Sequence, residues 1–504
     1  MSDLRQRITE LSPQKRALLA MRLRKEHTRA AATQTIPRRA GSGTLPLSFN
    51  QEGLWFLDQL EPESPRFCLS GTLRIRGRLD ADALRQSVNR IISRHESLRT
   101  TFVMVDEEPV QVVSPELSLD VPVIDLREEA LDERESIASR LVAEEAMRPF
   151  DLGRGPLVRA TLLRLADEEH LMMLTMHHII SDGQSLVIFM KELAAHYEAF
   201  SRTEEPRFEA LPIQYADFAE WQREWLKGEV LDAQLDYWKK QLSGKLPTLE
   251  LPTDRPRPPV QTYWSEDQLL SLPGSIVEPL NSLGKETGAT SFMTLLSAFF
   301  ALLHRYTGQD DIIVGSPIAG RRWSETEDVI GYFVNMLALR ARFTPQLSFR
   351  QLLGQVREAV LGAYAHQDLP FGKLVAAIQP TRSLNRSPVF QVVFILIDSL
   401  KSIEAGGVTF EPLQIDRQTV KYDIIVFVEQ SEEGLKALFM YNRDLFDYQT
   451  ISRMLAHLQA LVEGVVLTPD EPLLDISLAE TPDERESAHS LDSTDRDEHA
   501  SFLF

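Results

Sequence analysis

Cysteine is nearly missing from this chain of 504 residues, and the single Cys68 excludes an intramolecular disulfide framework. Long apolar runs are missing too: no uninterrupted stretch reaches the roughly 18 residues that a spanning helix needs, which leaves membrane insertion unsupported. The first residues, MSDLRQRITE, lack the apolar core of a signal peptide, so a cytoplasmic protein is expected. Positive charge is in deficit. With 54 Lys and Arg against 74 Asp and Glu the formal net charge is -20, and neither a nucleic acid nor an anionic membrane is an expected partner, because phosphate surfaces are bound by basic faces. No Gly-rich nucleotide loop is present. Gly315-Ser316-Pro317 is not a nucleophile elbow, since the G-x-S-x-G pattern is missing and proline follows the serine.

The length suffices for two or three domains that each bury a core, and two lobes are expected. Four stretches differ in character. Residues 1–44 carry a basic helix that starts at Ser12-Pro13 and is broken by Pro37 and Gly41-Ser42-Gly43; a docking element is one reading, a linker or a packing helix the other. Residues 45–218 and 219–480 form the body. Residues 481–504 are acidic and polar up to Phe502-Leu503-Phe504, a composition that cannot bury enough apolar surface to fold alone, although the aromatic end also suits a docking motif that orders on a partner.

The richest segment is Met176-His177-His178-Ile179-Ile180-Ser181-Asp182-Gly183. Leu171 to Met176 reads as an apolar strand, and Ser185 to Phe200 carries apolar residues at helical spacing, so the histidines and the aspartate occupy a strand-to-helix turn. Consecutive strand residues face opposite sides, so His177 and His178 cannot share one cavity. One works and the other supports. His178 is the candidate general base, since imidazole titrates near neutrality. Asp182, just before Gly183, is expected to brace the turn against a positive partner. Gly183 sits at a helix start, where its N–H suits a developing negative charge. Three readings compete: a satisfied core histidine, a metal site, and a helix with His178 and Asp182 on one face. No further His/Cys cluster supports a metal, and none is expected.

The body also shows an internal echo. The helix Asp80 to His95 followed by the strand Leu98 to Val103 is repeated by a helix at 290–306 followed by the strand Ile312 to Gly315. The strand Leu435 to Met440, the turn Tyr441 to Asp447 and the amphipathic stretch Tyr448 to Val462 repeat the histidine turn, with Asn442 aligned to His178 and Asp447 to Gly183. Two similar lobes with one base between them are expected.

Followed by Gln184-Ser185, the octet resembles the active-site motif of the condensation domains of nonribosomal peptide synthetases, and further family motifs follow over about residues 45 to 480. Pro46 to Leu57 resembles the first, with Gly53 where arginine is usual, and Arg94-His95-Glu96-Ser97-Leu98-Arg99-Thr100-Thr101-Phe102 matches the second. Tyr215 to Trp221, Ile330-Gly331-Tyr332-Phe333-Val334-Asn335-Met336 and His366 to Gly372 resemble the fourth to sixth, Met336 and Gly372 replacing a usual threonine and glutamate. Arg382 to Pro388 is the loosest fit.

The resemblance implies an α/β fold of the α+β two-layer kind, a pseudo-dimer of two lobes similar to chloramphenicol acetyltransferase, arranged as a V with catalysis in a tunnel between them. It implies acyl transfer from the phosphopantetheine thioester of a donor carrier protein to an amine or hydroxyl, held by an acceptor carrier or free, giving an amide or ester. His178 then acts as base or positions substrate. Asp182 pairs with Arg321, adjacent Arg322 being the alternative. Gln184, where tryptophan is frequent, and Asn335 are candidates for the tunnel wall, lobe-interface packing being the other reading of Asn335. No cofactor is bound; the phosphopantetheine arm comes with the carrier. The sequence holds no GGxS-like carrier site and no adenylation segment, so activation and tethering are expected elsewhere, and a self-contained monomer acting in trans is the expectation. Epimerisation of a carrier-bound aminoacyl group, coenzyme A-dependent acyl transfer and a non-catalytic recruitment domain are the competing functions.

Overall fold

A computed structural model describes residues 35–478 apart from 42–43, 63, 381–382, 384, 398–399, 414–418 and 432–433. The acidic stretch 481–504 and most of the basic segment 1–44 lie outside the described residues. In chain order the first half contributes β1 (Leu45–Pro46), α1 (Phe49–Leu60), β2 (Cys68–Arg76), α2 (Ala81–Arg94), β3 (Thr100–Val105), β4 (Glu108–Val113), β5 (Val123–Asp125), α3 (Leu131–Ala146), β6 (Val158–Ala166), β7 (Glu169–His177) and α4 (Gly183–Ser201). Then follow α5 (Tyr215–Trp225), α6 (Gly228–Gln241), β8 (Ser265–Pro273), α7 (Gly274–Glu286), α8 (Ser291–Thr307), β9 (Asp311–Ile318) and β10 (Asn335–Arg342). The chain continues through α9 (Phe349–Ala365), α10 (Phe371–Ile378), β11 (Val392–Ile397), β12 (Ile403–Ala405), β13 (Val408–Leu413), β14 (Ile424–Gln430), β15 (Gly434–Asn442) and α11 (Tyr448–Leu467).

Two mixed six-stranded sheets result, ordered β12-β13-β2-β7-β6-β5 and β10-β9-β11-β14-β15-β8, beside a small sheet β1-β4-β3. Strand β7 shows why the first sheet is buried on both faces. Met172, Leu174 and Met176 enter the main core of this half, while the alternate residues Leu171 and Met173 enter a smaller core with Leu163, Leu165 and Ala138. Helix α2, capped by the Asp80 carboxylate on the N–H groups of Asp82 and Ala83, buries Leu84, Val88, Ile91 and Ile92 at helical spacing. In the second half α8 is buried along its whole run from Met293 to His304 and stops at Gly308, whose φ of 65° ends the helix in the left-handed region.

The duplication is real, with a different register from the one expected. In both halves a strand (β2, β8) leads into a helix (α2, α7), and a later hairpin (β6-β7, β14-β15) pairs its second strand antiparallel with that first strand and then enters a long helix (α4, α11). The last residue of β7 pairs with the first of β2, His177 with Cys68; the last of β15 pairs with the first of β8, Asn442 with Ser265. The helix N-caps are Asp182 and Asp447. Asn442 therefore matches His177, Arg443 matches His178 and Asp447 matches Asp182, one position away from the sequence alignment. The other echo holds as helix followed by hairpin, β3-β4 against β9-β10, but the second half places two helices, α7 and α8, before its hairpin.

A division at residue 218 misses one element. The hairpin β12-β13, from the second half, pairs with β2 and covers that edge of the first sheet. Its two-residue turn, Gly406-Gly407, has φ of 57° and 82°, the pair of positive angles that a tight hairpin requires.

Candidate active site

The turn between β7 and α4 is a short 3₁₀ segment, His178–Ile180, and its two histidines diverge as strand alternation requires. His177, the final strand residue, is 2% exposed between the rings of Phe67 and Phe150. Its Nδ1 accepts from the Ile179 N–H at 3.1 Å, so the ring proton sits on Nε2, 3.7 Å from the Asp58 carboxylate. Burial holds this imidazole below the usual histidine range, against the smaller opposing pull of Asp58. The ring is neutral at neutral pH.

His178 is half-buried and turns the other way. Its Nδ1 lies 2.9 Å from the Ser181 carbonyl oxygen. A carbonyl only accepts, so Nδ1 carries the proton and the lone pair of the neutral ring is on Nε2. The ring of Tyr332 meets the imidazole edge-on, with centroids 5.3 Å apart and planes at 64°.

Asp182 is 2% exposed, and its carboxylate ties the two halves together. Oδ1 caps α4 through the Ser185 N–H at 2.9 Å and also accepts from Arg321 Nη2 at 2.9 Å; Oδ2 accepts from the Phe333 N–H at 3.0 Å. The Ser185 hydroxyl lies 2.7 Å from Asp182 Oδ1 and accepts from the Gly331 N–H at 3.1 Å and from Arg321 Nη2 at 3.1 Å. The guanidinium of Arg321 packs over the Phe333 ring, 4.2 Å from its centroid, and burial lowers its pKa while Asp182 opposes that shift. Of the two adjacent arginines, Arg321 is thus the brace; Arg322 pairs with Asp368 at 2.8 Å.

Gly183 opens α4, and the N–H groups of Gly183 and Gln184 make no hydrogen bond to another described residue. Gln184 is half-buried beside them. Asn335 is elsewhere engaged: Nδ2 donates to the carbonyls of Gln367 and Leu369 at 2.9 and 2.7 Å, and Oδ1 accepts from the Phe371 N–H at 3.0 Å, so its amide pins the connection between α9 and α10. It lines a cleft there with Trp221, Trp225 and Trp323.

Sequence reasoning gave no role to Ser185, Tyr215 or Tyr332. Ser185 follows Asp182 by three residues, the spacing at which a helix cap meets its partner, and that signal was available. Tyr215 donates to the Tyr332 carbonyl at 2.6 Å and bonds the Ser48 hydroxyl at 2.9 Å; burial raises its pKa, and no local pattern announces either contact. In the second half Asp447 pairs with Arg255, but both are about half exposed, 52% and 48%, and Asp447 makes no side-chain cap bond. With Arg443 where the first half has His178, this copy has an ion-paired aspartate and no imidazole at the turn.

The family model for the condensation domain matches residues 41–487. The chain is 49% identical over 437 residues to one of the proteins that make up the linear gramicidin synthase of Brevibacillus parabrevis, a match covering 86% of this chain and 8% of that protein. It is 41% identical over 477 residues to the phosphinothricin tripeptide synthetase PhsC of Streptomyces viridochromogenes, covering 93% of this chain and 43% of that one. The chain thus spans less than half the length of these synthetases. The X-domain from teicoplanin biosynthesis, solved with OxyB, superposes with a TM-score of 0.81 at 26% identity over 89% of this chain and 99% of that one. The first condensation domain of the calcium-dependent antibiotic synthetase shares the fold at a TM-score of 0.73 and 22% identity, over 87% of this chain and all of that one. No single helix among the described residues is long and apolar enough to cross a membrane. With the histidine turn, its cap and its arginine brace in place, the chain belongs to the condensation-domain family of nonribosomal peptide synthetases.

Proposed function

We propose that this chain transfers an acyl group from the phosphopantetheine thioester of a donor carrier protein to an amine or hydroxyl acceptor, on an acceptor carrier or free, releasing an amide or an ester. The observation that carries the reading is the fixed tautomer of His178, whose Nδ1–H is spent on the Ser181 carbonyl. The acceptor's nitrogen or oxygen attacks the thioester carbon, forming the C–N or C–O bond, and gives its proton to Nε2. The C–S bond then breaks, and the proton passes to the departing sulfur.

The negative charge that develops on the carbonyl oxygen between these events suits the N–H groups of Gly183 and Gln184, which sit at the positive end of α4. Gln184 contributes its amide to the same wall. Asp182 and Arg321 hold the helix start against the second half, and His177 supports the strand end; neither needs to meet substrate. General-base catalysis of this kind contributes about 10²–10⁴ in rate.

Replacing His178 by alanine removes the base and one ring contact, and a condensation assay with an acyl group loaded on a carrier should lose a factor of about 10²–10⁴ while the circular dichroism spectrum stays unchanged. A folded variant that keeps most of its rate would remove His178 from the reaction.

A further inference from the structure

We propose that Tyr332 is the positioning residue for the His178 imidazole and that its phenol O–H donates to a carbonyl oxygen of the acyl donor, so that this one side chain both aims the base and reads the substrate. The substrate contact rests on the acyl-transfer reading; the positioning role stands on geometry alone.

Two contacts on the imidazole bear on its attitude. The hydrogen bond from Nδ1 to the Ser181 carbonyl limits its rotation, and the ring of Tyr332 packs against it in an edge-type contact. Tyr332 can serve as a wall because the backbone on both sides of it is fastened to the first half. The N–H of Gly331 donates to Ser185 Oγ at 3.1 Å, the N–H of Phe333 to Asp182 Oδ2 at 3.0 Å, and the carbonyl of Tyr332 itself accepts from Tyr215 at 2.6 Å. The ring is therefore held to the same cap that holds the start of α4, and a shift of one half against the other would move it relative to His178.

The phenol is unspent. Tyr332 is half-buried, and its hydroxyl has no hydrogen-bond partner among the described residues. Burial raises its pKa, with a further push from the neighbouring phenol of Tyr422, so the group stays protonated at neutral pH and acts as a donor. Carbonyl oxygen is the acceptor that every acyl thioester brings to this place. An aromatic contact and one neutral hydrogen bond are each worth about 1 kcal/mol, a factor of about 5.

The test uses the whole chain with an acyl-loaded carrier at saturating acceptor, comparing wild type, Tyr332→Phe and Tyr332→Leu, with ¹⁵N NMR of the His178 imidazole as a readout independent of turnover. Tyr332→Phe keeps the ring and should lower kcat/KM for the loaded carrier about 5-fold or more with the Nδ1–H tautomer retained. Tyr332→Leu should lower kcat about 5-fold or more and mix the two tautomers, with thermal stability monitored alongside. A Tyr332→Leu protein with the wild-type tautomer and kcat overturns the positioning role, and a Tyr332→Phe protein with unchanged kcat/KM overturns the carbonyl contact. If wild type itself transfers no acyl group, the acyl-transfer reading and the carbonyl contact fail together, while the NMR comparison still decides the positioning role.

Discussion

Removing the carboxylate of Asp182 should unbalance the joint between the halves more than any other single change at this site. Three terms follow from the geometry, the first being the buried Phe333 N–H, 3.0 Å from Oδ2, which loses its acceptor. The cap on Ser185 N–H, at 2.9 Å, is worth about 1 kcal/mol. The Arg321 guanidinium, whose side chain is 6% exposed, would be left as a buried charge without its partner, which costs about 3–5 kcal/mol. The terms share atoms and do not add fully, so Asp182→Ala should lose about 4 kcal/mol in equilibrium urea unfolding. The charge logic makes a second demand. Asp182→Ala/Arg321→Met deletes the orphaned cation as well and should be more stable than Asp182→Ala by about 2 kcal/mol, because a lost pair costs less than half a pair. If Asp182→Ala unfolds within about 1 kcal/mol of wild type, or if the second substitution adds further loss, the brace does not work as described.

The ion pair of Asp447, the second half's counterpart of Asp182, gives a contrast: it and Arg255 are about half exposed, so Arg255→Ala should change stability by less than about 1 kcal/mol in the same titration. Acid should weaken the fold through buried histidines. Burial holds His177 below the ordinary value and His196 at about 4, so between pH 6.5 and about 4 the unfolded chain takes up protons that the folded chain does not, and stability falls as pH falls. The His196 ring lies tilted against Phe208, with ring centroids 4.4 Å apart, and His196→Phe should flatten that part of the pH-stability curve measured by thermal unfolding; an unchanged slope would exclude His196 as a source.

The histidine turn was legible because three local signals coincide there: an apolar run, a residue suited to capping, and a change of period from strand to helix. Boundaries of β7 and α4 fell within two residues of expectation. The register of the second copy was not legible, since nothing in Tyr441-Asn442-Arg443 marks where the strand stops; pairing of Asn442 with Ser265 decides it, and that contact is remote in sequence. The same limit hid the hairpin β12-β13, whose second strand pairs with β2 more than three hundred residues earlier. Asn335 was singled out by its motif, but its engagement with Gln367, Leu369 and Phe371 depends on how α9 and α10 are joined. Gly331 and Phe333 act on the cap through their backbone N–H groups, which no side-chain pattern reports.

If His178 governs the transfer, an acyl group leaves its carrier thioester only when an acceptor takes it there. Intact-protein mass spectrometry of a loaded donor carrier, incubated with this chain and a panel of amines and alcohols, decides this in one experiment. The expected result is loss of the acyl mass from the carrier that depends on both acceptor and enzyme, with the amide or ester appearing in step and with no such loss for His178→Ala. A carrier that keeps its acyl group with every acceptor, or loses it equally with His178→Ala, would refute the assignment.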